Sequence, residues 1–118
     1  MRQDRIENNV ILKLPFEFAL EIIKYAELLD TDKKYVLARQ LLKSGTSIGA
    51  NVREAQNGES KADFIHKFKI AAKEIDETQY WLQLCKFSKS YPDCDHLILK
   101  VEALSKIVTK IISTSKSH

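Results

Sequence analysis

Cysteine is scarce in this chain: Cys85 and Cys94 are its only two, too few for a disulfide framework. Glycine and proline number three and two, which excludes collagen-like and low-complexity architectures. Long apolar runs are missing as well. The longest fragments, such as Val10 to Leu12 and Leu97 to Leu99, fall far short of the roughly 18 residues that would cross a bilayer. The segment Met1 to Asn9 is polar and charged, unlike a secretory leader, so a soluble, cytoplasmic protein with no membrane partner is expected. Charge of one sign is also lacking, with 19 Lys/Arg against 16 Asp/Glu and a net charge of +3. What is present is a helix former's composition, 44% hydrophobic and 30% charged in 118 residues. A chain of this length buries roughly 65% of its unfolded surface, enough for one domain spanning 1–118 with no metal or cofactor to staple it.

Apolar spacing predicts four helices over about 15–30, 33–57, 60–89 and 94–113. The first is expected to open at Pro15, whose fixed φ suits a first helical position, leaving 1–12 as an N-terminal arm. Its core stripe reads Ala19, Ile22, Ala26 and Leu29. Asp30-Thr31-Asp32 offers acceptors to the amides opening helix 2. That helix carries Leu37, Leu41, Gly45, Ile48, Val52 and Ala55 at spacings of three or four. Asn57-Gly58 ends it, with glycine expected in the left-handed conformation. Ser60 and Asp63 resemble a capping box, after which Phe64, Phe68, Ala71, Ile75, Thr78, Leu82 and Cys85 form a bundle seam. Asp93 or Asp95 is expected to cap helix 4, whose seam is Leu97, Val101, Leu104, Val108 and Ile111. Residues 113–118 read as a frayed tail. Short connections between such helices give an all-α, up-down-up-down antiparallel four-helix bundle.

Gly45 and Gly49 break a local rule, since each glycine inside a helix costs about 0.8–1 kcal/mol against alanine. Either another backbone approaches closely there, in the same chain or in a second subunit, or the segment kinks into two helices. The apolar spacing carries through both glycines in phase, which favours a continuous helix with close packing.

No catalytic constellation emerges. His66, His96 and His118 lie on different elements, none three or four residues from another histidine or a cysteine, as a helical metal site requires. Cys85 belongs to the helix 3 seam, and Asp93 and Asp95 beside Cys94 raise a thiol pKa. Glu74, Asp76 and Glu77 read as a solvated helical face. The Ser-Gly-Thr-Ser-Ile-Gly run of residues 44–49 lacks the Gly-Lys-Ser/Thr of a phosphate loop. A protein without enzymatic activity, cofactor or metal is expected.

Surfaces are more telling. At 100° per residue, Tyr80, Leu84 and Phe87 fall opposite the helix 3 seam, with Trp81 flanking them, a second apolar stripe that a monomeric bundle does not need. Self-association through this stripe is the favoured reading; cover by the N-terminal arm, with Val10, Ile11 and Leu12 docked on helix 3, is the alternative. Residues 33–73 hold nine Lys/Arg and three Asp/Glu, a local +6 that leaves −3 on the remainder. Arg39, Lys43 and Arg53 on helix 2, with Lys69 and Lys73 on helix 3, form a candidate nucleic-acid contact; an ordinary solvated face is the other reading of the same charges.

The stretch LLKSGTSIGANVREAQNGESKADFIHKFKIAAKEIDETQYWL, with the upstream NNVILKLPFEFALEI, closely resembles the bacterial four-helix bundle proteins called 23S rRNA intervening-sequence proteins, over roughly residues 8–88. No biochemical activity is established for that family as a whole. The resemblance implies an up-down bundle assembling as a ring, a homopentamer. A related branch, the accessory proteins of diversity-generating retroelements, binds nucleic acid and a reverse transcriptase; those proteins are strongly basic, whereas this chain is +3. The expectation is therefore a non-enzymatic oligomeric bundle acting as an accessory or scaffold for RNA, DNA or a nucleic-acid-processing partner. A protein–protein interaction module with no nucleic-acid role is the alternative.

Overall fold

Residues 9–117 are described in the computed structural model. Four helices follow one another: α1 (Val10–Thr31), α2 (Tyr35–Ala55), α3 (Lys61–Phe87) and α4 (Asp95–Lys116). α2 packs against α1 and α3, and α4 against α3 and α1, so that α1 and α3 lie across the diagonal. Cross-helix pairs run in opposite order along neighbours, Gly45 on Ile22 with Gly49 on Pro15, and Ser44 with Thr78 but Glu54 with Lys67. The bundle is antiparallel and all-α, as the spacing predicted.

The seam residues meet in one core. Phe18, Ile22 and Leu29 of α1, Leu41, Ile48 and Val52 of α2, Phe68, Ile75 and Leu82 of α3, and Leu97, Val101 and Leu104 of α4 are all buried. Within it sits one polar pair. Thr78 Oγ1 lies 2.8 Å from Ser44 Oγ and 2.7 Å from the Glu74 carbonyl, so two hydroxyl protons satisfy both groups and the pair fixes α2 against α3 without an orphan donor.

Several ends differ from the sequence reading. α1 opens five residues earlier than Pro15, because Asn9 caps it by accepting a hydrogen bond from Ile11 N at 3.1 Å and because Ile11 and Leu12 are buried. Pro15 thus sits inside the helix, where its lacking N–H leaves the Ile11 carbonyl without the usual partner. Residues 10–12 of the expected arm belong to α1, and residues 1–8 lie outside the described residues. α2 opens at Tyr35 with no side-chain cap, so the Asp30–Asp32 acceptors do not serve it. The chain turns there through Lys33 at φ 62°, with Lys34 N bonded to Leu29 O and Lys33 N to Asp30 O, a Schellman closure of α1.

Gly58 is not left-handed, since no glycine among the described residues has positive φ. Its reason is space: a Cβ there would stand 3.3 Å from Ala55 O, Asp63 Cβ and Phe64 N, where α3 begins against the end of α2. Ser60 Oγ accepts from Asp63 N at 3.1 Å as the capping box requires. Neither Asp93 nor Asp95 caps α4; Cys94 occupies that position without a side-chain cap bond, its Sγ directed at the Leu82 carbonyl. The predicted frayed tail is helical as far as Lys116, anchored by the partly buried Ile111 and Ile112, and His118 lies outside the described residues.

The α3–α4 connection is tied down by Tyr25, whose hydroxyl donates to the Pro92 carbonyl at 2.7 Å. Burial raises the pKa of Tyr25, with Cys85 and Cys94 adding to the effect. Burial likewise pushes the Cys85 thiol from 9.0 up to about 11, and Cys94 upward, opposed in both by Tyr25. In the folded chain these groups keep protons that the unfolded chain releases, so their contribution is intact below pH 9 and is lost as pH climbs towards 11. Thermal melts are therefore expected to be flat on this account from pH 7 to 8.5 and to fall between pH 9 and 11. Cys85→Val should shrink that fall; an equal fall in both proteins contradicts the assignment.

Candidate interaction surfaces

Tyr80, Leu84 and Phe87 project from the side of α3 opposite its buried seam and are 58%, 38% and 80% exposed. Trp81 differs from them. It packs partly buried against the core while meeting Tyr80 edge-on, with ring centroids 5.3 Å apart, so it backs the stripe rather than extending it. Its indole N–H is buried with no acceptor among the described residues. The cover offered by residues 10–12 does not materialise: Ile11 and Leu12 are buried in α1, which lies across the diagonal from α3.

The basic residues do not form one patch. Arg39, Lys43, Arg53, Lys69 and Lys73 are all exposed, yet they divide between two faces. Lys43 and Lys73 come together across the α2–α3 seam around Glu74, whose pKa is raised by burial and by Glu77 but held back by those two lysines. Lys69 stands one turn from Lys73 on α3. Arg53 instead lines the α1–α2 side, and Lys67 is taken up by Glu54 at 2.7 Å.

The remaining chemistry stays dispersed. His66 lies beside Glu54, Glu59 and Asp63 in a shallow depression at the α2–α3 turn, where all but Lys67 of the lining side chains are exposed. No group of three or more metal-ligating side chains is assembled among the described residues. Cys85 and Cys94 are buried and free, with thiols shifted away from the reactive thiolate.

One surface escaped the sequence reading. Between α1 and α2 runs a groove of about 300 Å³ lined by Leu12, Pro15, Phe16, Ala19, Thr46, Gly49, Ala50, Arg53 and Glu54. Phe16 in its lining is exposed, as are Leu20 on α1 and Leu42 on α2 outside it. One of the groove's residues carries a sequence signal: Phe16 is an aromatic out of phase with the buried Ile22, Ala26 and Leu29. No helix is long and apolar enough to cross a membrane among the described residues.

The architecture is shared with a solved protein. A crystal structure of a protein of unknown function from the S23 ribosomal protein family of Bacteroides thetaiotaomicron superposes with a TM-score of 0.83 at 38% identity, covering 87% of this chain and 98% of that one. No curated protein matches the chain. The family model described as 23S rRNA-intervening sequence protein matches residues 7–110, which is nearly the whole bundle, and the chain accordingly belongs to that family.

Proposed function

We propose that this protein is a non-enzymatic, self-associating helical scaffold of the cytoplasm whose assembled surface holds nucleic acid or a nucleic-acid-processing partner. The observation that carries the reading is the uncovered Tyr80–Leu84–Phe87 stripe, since a bundle that works as a monomer has no use for two aromatics on its solvent face. Assembly as a ring of five is what resemblance to the family implies. Repetition of the Lys43, Lys69 and Lys73 face around such an assembly multiplies a modest charge into a polyanion-binding surface. Arg39 lies beside that face. Arg53, directed to the other side of α2, has less part in it.

Charge reversal tests the nucleic-acid contact. Arg39, Lys43, Lys69 and Lys73 changed together to Glu should abolish retention of RNA while the assembly keeps its size, and wild-type retention should fall steeply with salt. Retention that is unaltered by the four reversals would sink the contact. Capture of a partner from nuclease-treated lysate with equal efficiency would instead favour the module that binds protein alone.

A further inference from the structure

Two apolar surfaces stand open on this chain, and they cannot cover one another. The α3 stripe faces away from the core, while the other surface, the α1–α2 groove, opens on a different side of the bundle, with α1 and α3 across its diagonal. Their shapes are opposite. The stripe is a ridge of two rings and a leucine; the groove sets the small residues Ala19, Thr46, Gly49 and Ala50 beside Phe16.

Their charges are opposite too. One turn before Tyr80 stand Asp76 and Glu77, and the groove begins at Arg53; none of the three makes an ion pair among the described residues. Glu54, the groove's own carboxylate, is already held by Lys67.

We propose that the α1–α2 groove is the socket for the Tyr80–Leu84–Phe87 ridge of a second copy of this chain, with Asp76 and Glu77 of the ridge meeting Arg53 of the groove. The inference rests on the self-association proposed above and adds the surface that receives the stripe. The contact is heterologous, one face of each copy against a different face of the next, so that every copy keeps both a free ridge and a free socket until the assembly closes.

Complementation by mixing tests it. A ridge variant (Tyr80→Glu, Leu84→Glu) and a groove variant (Phe16→Glu, Ala50→Glu) alter exposed positions only, and circular dichroism checks that both stay helical. Ala50→Trp, which fills the groove without adding charge, replaces the groove variant if that one does not fold. By sedimentation velocity each variant alone should run as a single chain, and an equimolar mixture should give a one-to-one dimer that grows no further. A groove variant that assembles like wild type overturns the socket and leaves self-association standing, as expected of a stripe that pairs with its own twin. Two monomeric variants that fail to pair on mixing also overturn it. A wild-type chain that is itself monomeric fails the underlying reading instead.

Discussion

Tyr80→Glu combined with Leu84→Glu is expected to reduce the assembled protein to single folded chains at micromolar concentration, with no loss of helix. The stripe lies on the solvent side of α3, so the substitutions touch none of the seam residues Phe68, Ala71, Ile75, Thr78, Leu82 and Cys85 that hold the bundle. In the free chain a glutamate at either position simply enters water. In an interface the same carboxylate must be desolvated without a partner, at about 1–3 kcal/mol or more for each buried charged group, added to the lost burial of an aromatic and a leucine at about 1.5–3 kcal/mol each. A combined loss of several kcal/mol weakens association at least a thousandfold. Light scattering reads the mass, and a far-ultraviolet spectrum separates dissociation from unfolding. An assembly of unchanged mass places the contact elsewhere.

The second large effect lies in the core. A Cβ at Gly45 would stand 2.8 Å from Ile22 Cγ2 and 2.9 Å from Cγ1, atoms attached directly to a branched carbon that cannot swing aside. Gly45→Ala gains about 1 kcal/mol of helix propensity but meets an overpacking cost of typically 1–3 kcal/mol, so net destabilisation is expected. Gly49 behaves differently. Its added Cβ meets Pro15 Cβ at 3.4 Å and the Pro15 backbone at 3.5 Å, ordinary contact distances, and Gly49→Ala should stabilise by about 0.4–1 kcal/mol. Urea unfolding of the pair decides the matter: midpoints moving in opposite directions support this packing, and two equal gains would mean that α1 and α2 are further apart than described.

These two glycines also show how far the sequence could be read. Apolar phase through residues 41–55 argued for an unbroken α2, and α2 is unbroken. That one glycine would be indispensable and the other replaceable depended on what α1 presents opposite each, a branched side chain at Ile22 and a proline at Pro15. Periodicity along one helix carries no information about its neighbour's register. Helix ends failed for a related reason. Pro15 was a plausible first residue on local grounds, but burial of Ile11 and Leu12 and the Asn9 cap outweighed the proline. Residue type alone points to a left-handed Gly58, whereas the close start of α3, 3.3 Å from an added Cβ, makes that position tight for a side chain.

The candidate surfaces were legible to differing depth. A helical wheel suffices to find Tyr80, Leu84 and Phe87, because position opposite a seam follows from helix geometry alone. Trp81 sits at the margin of that wheel, and only packing reveals that it leans on the core. Charge counting over 33–73 gave a local excess but not its division, since Lys43 and Lys73 converge on Glu74 only after α2 and α3 are laid side by side. The groove needs two helices to exist. Its α1 side shows in the sequence only at Phe16, and its α2 side, Thr46 to Glu54, acquires meaning only when α2 is placed against α1.

Sedimentation velocity of the wild-type chain at micromolar concentration tests the central claim, that the outer face of α3 is covered by another copy. A species several times the 13.6 kDa of the chain is the expected result. A single boundary at one chain's mass across that range would contradict it.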